Sequence, residues 1–414
     1  MTADTRDLLI GRRSVTGAAL LGSAALVLGG GSRRAFAAAR SGPAPSAGGG
    51  AVLALPAPTG RHPVGRRAVY LVDGSRRDPW DPAVPVRELM LTFFYPARDV
   101  AGLAPAPQLP PLAAEVFGLV APHGPLRLPA GGVDWGATLS HAFPGAAALP
   151  GRRPVLVHSP GGGDPRGLGT SLAEELASRG AVVVSVDHPG DAAAVEFPGT
   201  TAFRGAPVRA TVFRGDPRDA PDLARTMVDA RVADLRFVLD RLGRPAELPL
   251  PPGLSETLDL RRLGVYGHSA GGSAVTELLH EDRRVRAGIN LEGYLDLPPL
   301  EPGGSPEPLP VLRAGVDRPL LLLGTERFDR AAELNRSWAV LAARSPRWVR
   351  TARLAGAAHW AVTDLAAMLP RLQAAGLVTA ADRTAVIGPA APAVSVPRVR
   401  RTVREFFARH LPSR

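Results

Sequence analysis

The chain has 414 residues, 45% of them hydrophobic, enough to build one large domain or two ordinary ones around a buried core. It contains no cysteine, which excludes disulfides, thiolate zinc sites, iron–sulfur clusters and a cysteine nucleophile. Lysine is absent too, so all 49 basic residues are arginine and neither a lysine Schiff base nor a P-loop lysine is available.

The formal net charge of +11 does not point to nucleic acid. The arginines are scattered, no aromatic-rich basic motif lies among them, and several fall in the first 34 residues. Gly11, Arg12, Arg13 and Ser14 precede an apolar run from Val15 to about Gly30, followed by small residues at Ala35, Phe36, Ala37, Ala38 and Ala39. This pattern predicts an export signal over residues 1–39, of the twin-arginine type, and a secreted product. Val15 and Thr16 are not the usual bulky pair, so a general secretory signal is the alternative. The run is shorter than the roughly 20 strongly apolar residues of a permanent membrane span. Residues 40–58, rich in Gly, Ala and Pro, read as a flexible linker, with one folded domain over 59–414.

Within that domain strand-like and helix-like segments alternate. The expected strands are Ala68–Val72, Glu88–Tyr95, Pro154–His158, Ala181–Asp187, Leu263–Gly267, Val285–Leu291, Pro319–Gly324 and Trp348–Leu354. Leu223–Leu242 is the clearest helix, with Val228, Val232, Leu235, Val238, Leu239 and Leu242 recurring at three and four. Continuous apolar runs at 182–184 and 320–323 suit strands buried on both faces. The expected fold is α/β, a mostly parallel eight-stranded sheet flanked by helices. Pro-, Gly- and Ala-rich stretches at 100–150, 198–220 and 297–316 are too long for ordinary connections.

The chemistry concentrates at Gly267, His268, Ser269, Ala270, Gly271, a GxSxG sequence placed directly after a predicted strand and before a predicted helix. That context predicts a nucleophile elbow, with Ser269 on a sharp turn that Gly267 and Gly271 leave room for. A serine hydroxyl needs a base within reach and an acid to orient it, in the chain order Ser, acid, His. Of the later histidines, His280 and His410 sit in predicted helices, whereas His359 follows a strand and a small-residue turn and is the expected base. Glu292 follows the strand ending at Leu291 in an otherwise uncharged segment and is the favoured acid. Glu326 and Asp329, interleaved with arginines after the next strand, are the alternatives. The oxyanion donors are expected to be Ala270 and Gly162, the latter within Ser159, Pro160, Gly161, Gly162, Gly163, Asp164, with Gly161 or Gly163 next. Asp187, His188 and Asp191 cluster after a strand, but without a further ligand set they read as a structural loop rather than a metal site.

Taken together, these segments resemble the α/β-hydrolase family that includes the plasma-type platelet-activating factor acetylhydrolases and related exported bacterial serine esterases. The resemblance runs from about Arg87 to Leu411 and rests on Phe94-Tyr95-Pro96-Ala97, the glycine loop at 159–163, Asp187-His188, Gly267 to Gly272, Asn290-Leu291-Glu292-Gly293 and Gly356-Ala357-Ala358-His359. It implies an acid about two dozen residues after the serine, where Glu292 stands in place of the family's usual Asp; a second departure is Pro160, where many members carry His before the oxyanion glycine. The expected function is exported hydrolysis of a small-molecule or lipid carboxylic ester, on short acyl groups, through Ser269, His359 and Glu292, with no cofactor or metal. A lipase or polyester hydrolase, or a non-catalytic binding protein on the same scaffold, are the alternatives.

Overall fold

The valines and leucines at 182–184 and 320–323 form strands with no exposed face. The computed structural model describes residues 49–412 apart from 125, 127 and 302. Its main sheet contains β1 (Val64–Asp73), β2 (Arg87–Pro96), β3 (Ala142–Pro144), β4 (Arg153–Ser159), β5 (Val182–Asp187), β8 (Leu258–His268), β9 (Ala287–Leu291), β12 (Leu320–Thr325) and β13 (Val349–Leu354). Two small ribbons pair β6 (Ala194–Glu196) with β7 (Val208–Ala210) and β10 (Asp296–Leu297) with β11 (Glu307–Pro308).

The strand order is β13-β12-β9-β8-β4-β5-β2-β1-β3. The six strands from β13 to β5 are parallel, and β2 runs against both of its neighbours, β5 and β1. All eight expected strands are present. The ninth, β3, is a three-residue edge strand in the Pro- and Ala-rich stretch, too short to show any alternation.

Alternation along the strands divides the core into two layers. Leu156 and Val183 face one side, with Leu172 and Leu176 of α2 (Thr170–Ser178), Leu365 to Leu372 of α6 (Leu365–Ala374) and Val403 and Phe407 of α8 (Pro392–His410). Val155, Val157, Val182 and Val184 face the other, with α3 (Pro221–Leu242), α4 (Ala270–Glu281) and α5 (Ala331–Arg344). The stretch before β3 adds α1 (Pro111–Val120), and α7 (Ala380–Ile387) lies between α6 and α8.

The linker expected through residue 58 ends sooner than its composition suggests. Ala51 donates to the Gly132 carbonyl at 2.7 Å, and Leu53 and Leu55 are buried in the core, so the folded body begins near Gly50. Two leucines among alanines and prolines carry enough apolar area to dock an otherwise featureless segment. The expected signal over 1–39 lies outside the described residues. Among the described residues no helix is long and apolar enough to cross a membrane.

Candidate active site

Parallel strands end on one edge of the sheet, and their following loops gather the predicted site residues there. β4 leads into Ser159–Asp164, β8 into Ser269, β9 into Glu292 and β13 into the turn before His359. Ser269 has φ 51° and ψ −120° between β8 and α4, the conformation of a strained elbow. The turn is as tight as the glycines suggested: a Cβ on Gly267 would strike the Gly271 backbone, and one on Gly271 the Ser159 carbonyl. Ser269 is half-buried, and its N–H donates to the Leu291 carbonyl at 2.8 Å, which ties the elbow to the end of β9.

Glu292 is fully buried and carries φ 61°. Its Oε2 lies 2.9 Å from His359 Nδ1. A carboxylate only accepts here, so Nδ1 carries the proton and Nε2 keeps a lone pair. The other side of the carboxylate is held by Thr325 at the end of β12, through its N–H and through Oγ1, which lies 2.8 and 2.9 Å from the two oxygens. Glu326 does something else: its Oε2 accepts the Gly356 N–H at 2.6 Å and braces the turn that presents His359. Asp329 is exposed and accepts from the Arg330 N–H.

The imidazole of His359 is boxed in by rings. Phe328 stacks on it with centroids 4.6 Å apart and planes at 17°, and Trp360 meets it edge-on at 4.8 Å. Arg218, from the 198–220 stretch, lies 3.7 Å over Tyr294, whose ring tilts against Phe328, so that stretch does border the site. Trp338 is buried core, with Nε1 donating to the Gly293 carbonyl at 2.9 Å.

His268, beside the serine, is also part of the frame. Its Nε2 donates to the His359 carbonyl at 3.0 Å, and its Nδ1 lies 3.3 Å from Asp164 Oδ2. The carbonyl only accepts, so Nε2 carries a proton. Burial, and then the neighbouring His359, push the His268 imidazole below its ordinary value.

Of the oxyanion candidates, Ala270 is the first residue of α4, where an N–H has no carbonyl one turn back to bind. Gly162 lies against it: a Cβ on Gly162 would sit 3.5 Å from that of Ala270. Gly163 is not free for this role, because its N–H donates to Asp191 Oδ1 at 2.9 Å. Among the described residues nothing accepts from the Gly162 N–H.

Asp187, His188 and Asp191 are all taken by protein partners. Asp187 pairs with Arg166, His188 bridges Ser159 and Asp234, and Asp191 pairs with Arg231. His280 and His410 lie on helices away from these contacts, as expected. Thr325, His268, Asp164 and Arg231 were not singled out from the sequence. Arg231 and Asp234 did carry a signal, since both fall on the stripe of α3 shared by Val228, Leu235 and Val238, where a charge is buried.

Known proteins share this arrangement of chain. The family model described as "Platelet-activating factor acetylhydrolase, isoform II" matches residues 252–386. A "Probable 1-alkyl-2-acetylglycerophosphocholine esterase" of Arthroderma benhamiae is 31% identical over 278 residues, 63% of this chain and 65% of that protein. The platelet-activating factor acetylhydrolase of Cavia porcellus is 26% identical over 43% of this chain and 41% of its own length. The chain thus spans less than two thirds of these curated relatives. A solved structure, a ferulic acid esterase from Streptomyces cinnamoneus, is 33% identical, covers 88% of this chain and 94% of its own, and superposes with a TM-score of 0.68.

Proposed function

Since the chain belongs to the platelet-activating factor acetylhydrolase-like esterases of the α/β-hydrolase fold, we propose that it hydrolyses carboxylic esters through Ser269, His359 and Glu292. The observation that carries this reading is the 2.9 Å bond from His359 Nδ1 to the buried Glu292, beside a serine on a strained elbow. Ser269 Oγ attacks the ester carbonyl carbon while its proton passes to His359 Nε2. The tetrahedral oxyanion is received by the N–H groups of Ala270 and Gly162. Collapse expels the alcohol, which takes the proton from His359. Water, deprotonated by the same nitrogen, then releases the acid and frees the serine. Glu292 holds the imidazole in the productive tautomer and stabilises the imidazolium. The substrates are short-acyl, acetyl-type esters met outside the cell after removal of the N-terminal signal.

A second acyl group is favoured by one observation: a similar structure that covers 88% of this chain is that of a ferulic acid esterase. An aromatic hydroxycinnamoyl ester is therefore the alternative substrate. Nitrophenyl esters of increasing chain length, assayed beside methyl ferulate, separate the two. A fluorophosphonate probe tests the mechanism itself, because it should label the wild type and leave Ser269→Ala unlabelled. Equal labelling of both would end this reading, and a folded wild type that neither reacts nor hydrolyses any of these esters would make it a binding protein.

A further inference from the structure

The loop that supplies Gly162 is held from behind by a buried arginine fork, beside two backbone bonds, from the Asp164 N–H to the Gly161 carbonyl at 3.1 Å and from the Ala193 N–H to the Gly163 carbonyl at 2.8 Å. Arg231 is fully buried on α3. Its Nη1 donates to the Pro160 carbonyl at 2.5 Å and to Ser159 Oγ at 3.2 Å, its Nη2 to the Gly161 carbonyl at 2.8 Å, and its Nε to Asp191 Oδ2 at 2.6 Å. Asp191 in turn takes the Gly163 N–H with its other oxygen.

A trans peptide points its C=O and the following N–H in opposite directions. The Gly161 carbonyl and the Gly162 N–H belong to one peptide unit, so binding that carbonyl to Arg231 turns the Gly162 N–H away from the guanidinium, and Gly162 itself lies against Ala270. The same holds for the Pro160 carbonyl and the Gly161 N–H. A glycine run has no side chains to resist a peptide flip, and a flipped unit would present a carbonyl oxygen to the oxyanion. We propose that Arg231 is the positioning residue of the oxyanion hole, fixing the direction of the Gly162 N–H through the peptide it shares with Gly161. This inference rests on the ester-hydrolase reading above.

The fork is itself anchored. His188 Nδ1 donates to Asp234 Oδ2 at 3.0 Å, so His188 Nε2 accepts from Ser159 O–H at 3.0 Å, and the Ser159 oxygen is left to accept from Arg231. Arg87 closes the chain on Asp234 at 2.8 Å. Ser159, His188 and Asp234 have the residue types of a catalytic triad, but Ser159 and Asp234 have no exposed surface and His188 has 1%. They cannot meet a substrate, and they brace the loop that does. Lysine could keep the charge of Arg231 but not its planar fork, which serves two carbonyls, a hydroxyl and a carboxylate at once.

The test is Arg231→Lys in the full chain, with kcat and KM on a nitrophenyl acetate, inhibition by an acetyl trifluoromethyl ketone, and a thermal melt. The expected result is a loss of about 10²-fold in kcat, the cost of one oxyanion donor, with KM little changed and ketone affinity falling in parallel with kcat. Guanidinium added to Arg231→Ala should restore part of kcat. A folded Arg231→Lys with wild-type kcat, or with a loss confined to KM, would overturn the proposal. If neither Arg231 variant accumulates folded, Asp191→Asn carries the test. It keeps the side-chain shape but loses the charge that holds the fork, and should lower kcat at unchanged KM; unchanged kcat would count against the proposal. Wild type assayed in the same series keeps the two readings apart, since a wild type inactive on every ester defeats the hydrolase reading and not the geometry of the loop.

Discussion

Ser269 and Glu292, at φ 51° and 61°, are the non-glycine residues with positive φ among the described residues, and their two turns interlock. The Ser269 N–H binds the carbonyl of Leu291, the residue before Glu292, and Gly293, the residue after it, lies so close that a Cβ there would strike the Ser269 carbonyl. Each such conformation costs about 1–3 kcal/mol and persists only where the surroundings impose it. Here the two strained residues impose it on each other, one presenting the serine and the other aiming the carboxylate at His359.

Glu292→Gln should lower kcat on short esters by about 10³–10⁴-fold, the loss expected when an amide stabilises the wrong imidazole tautomer. Asp329→Ala should hydrolyse them at the wild-type rate. Steady-state kinetics of both variants decide this, and activity lost only in Asp329→Ala would reverse the assignment of the acid.

Thr325 grips Glu292 through its hydroxyl as well as its N–H, and only the hydroxyl can be removed by substitution. Thr325→Val should reduce kcat about 10- to 100-fold, the worth of one hydrogen bond to a charged group, and Thr325→Ser should recover most of it. Equal kcat in Thr325→Val and Thr325→Ser would show that the hydroxyl does not matter.

His158, buried against Tyr266 and 2.7 Å from Ser185 Oγ, is pushed down to about 3 by burial and then by His268 and His188. The unfolded imidazole titrates near its ordinary 6.5, so between pH 6.5 and 3 the unfolded chain binds a proton that the folded one refuses. Stability should therefore fall as the pH drops through that window, by up to about 1.4 kcal/mol per pH unit from this group. Urea unfolding at pH 7, 6 and 5 measures the slope, and His158→Gln should flatten it.

Glu174 works in the opposite sense. Burial raises its carboxyl to about 8, so from its ordinary 4.5 up to 8 the folded state keeps a proton that the unfolded state has lost. Its contribution to stability is present below pH 4.5 and declines as the pH rises toward 8. Glu174→Gln, which retains an oxygen for the His141 N–H, should melt higher than the wild type at pH 8.5 and show little difference at pH 5. The same difference at both values would rule this out.

Much of the site was legible because its residue types are tied to strand ends. Continuous apolar runs locate the central strands, and the first residues beyond them, Ser269 and Glu292, need no further information to be suspected. His359 could be told from His280 and His410 because it lies in a loop after a strand, where it meets Glu292, and they lie on helices. The edge strand Ala142–Pro144 and the docked segment from Gly50 were hidden, since three residues have no period and two leucines no pattern. The supporting residues were hidden for a different reason. Thr325 is 33 residues from Glu292, and Asp164 is 104 from His268, so no local spacing relates them.

The sequence by itself determined the fold class, the elbow serine and the order of its partners, because strand burial and backbone sterics act over a few neighbouring residues. Only the tertiary structure decided that Glu292 rather than Glu326 or Asp329 touches His359, and that the Gly163 N–H is already taken. It alone showed that Arg231 stands behind the oxyanion loop, because a buried polar group is satisfied by whatever the packing of distant segments brings within 3 Å.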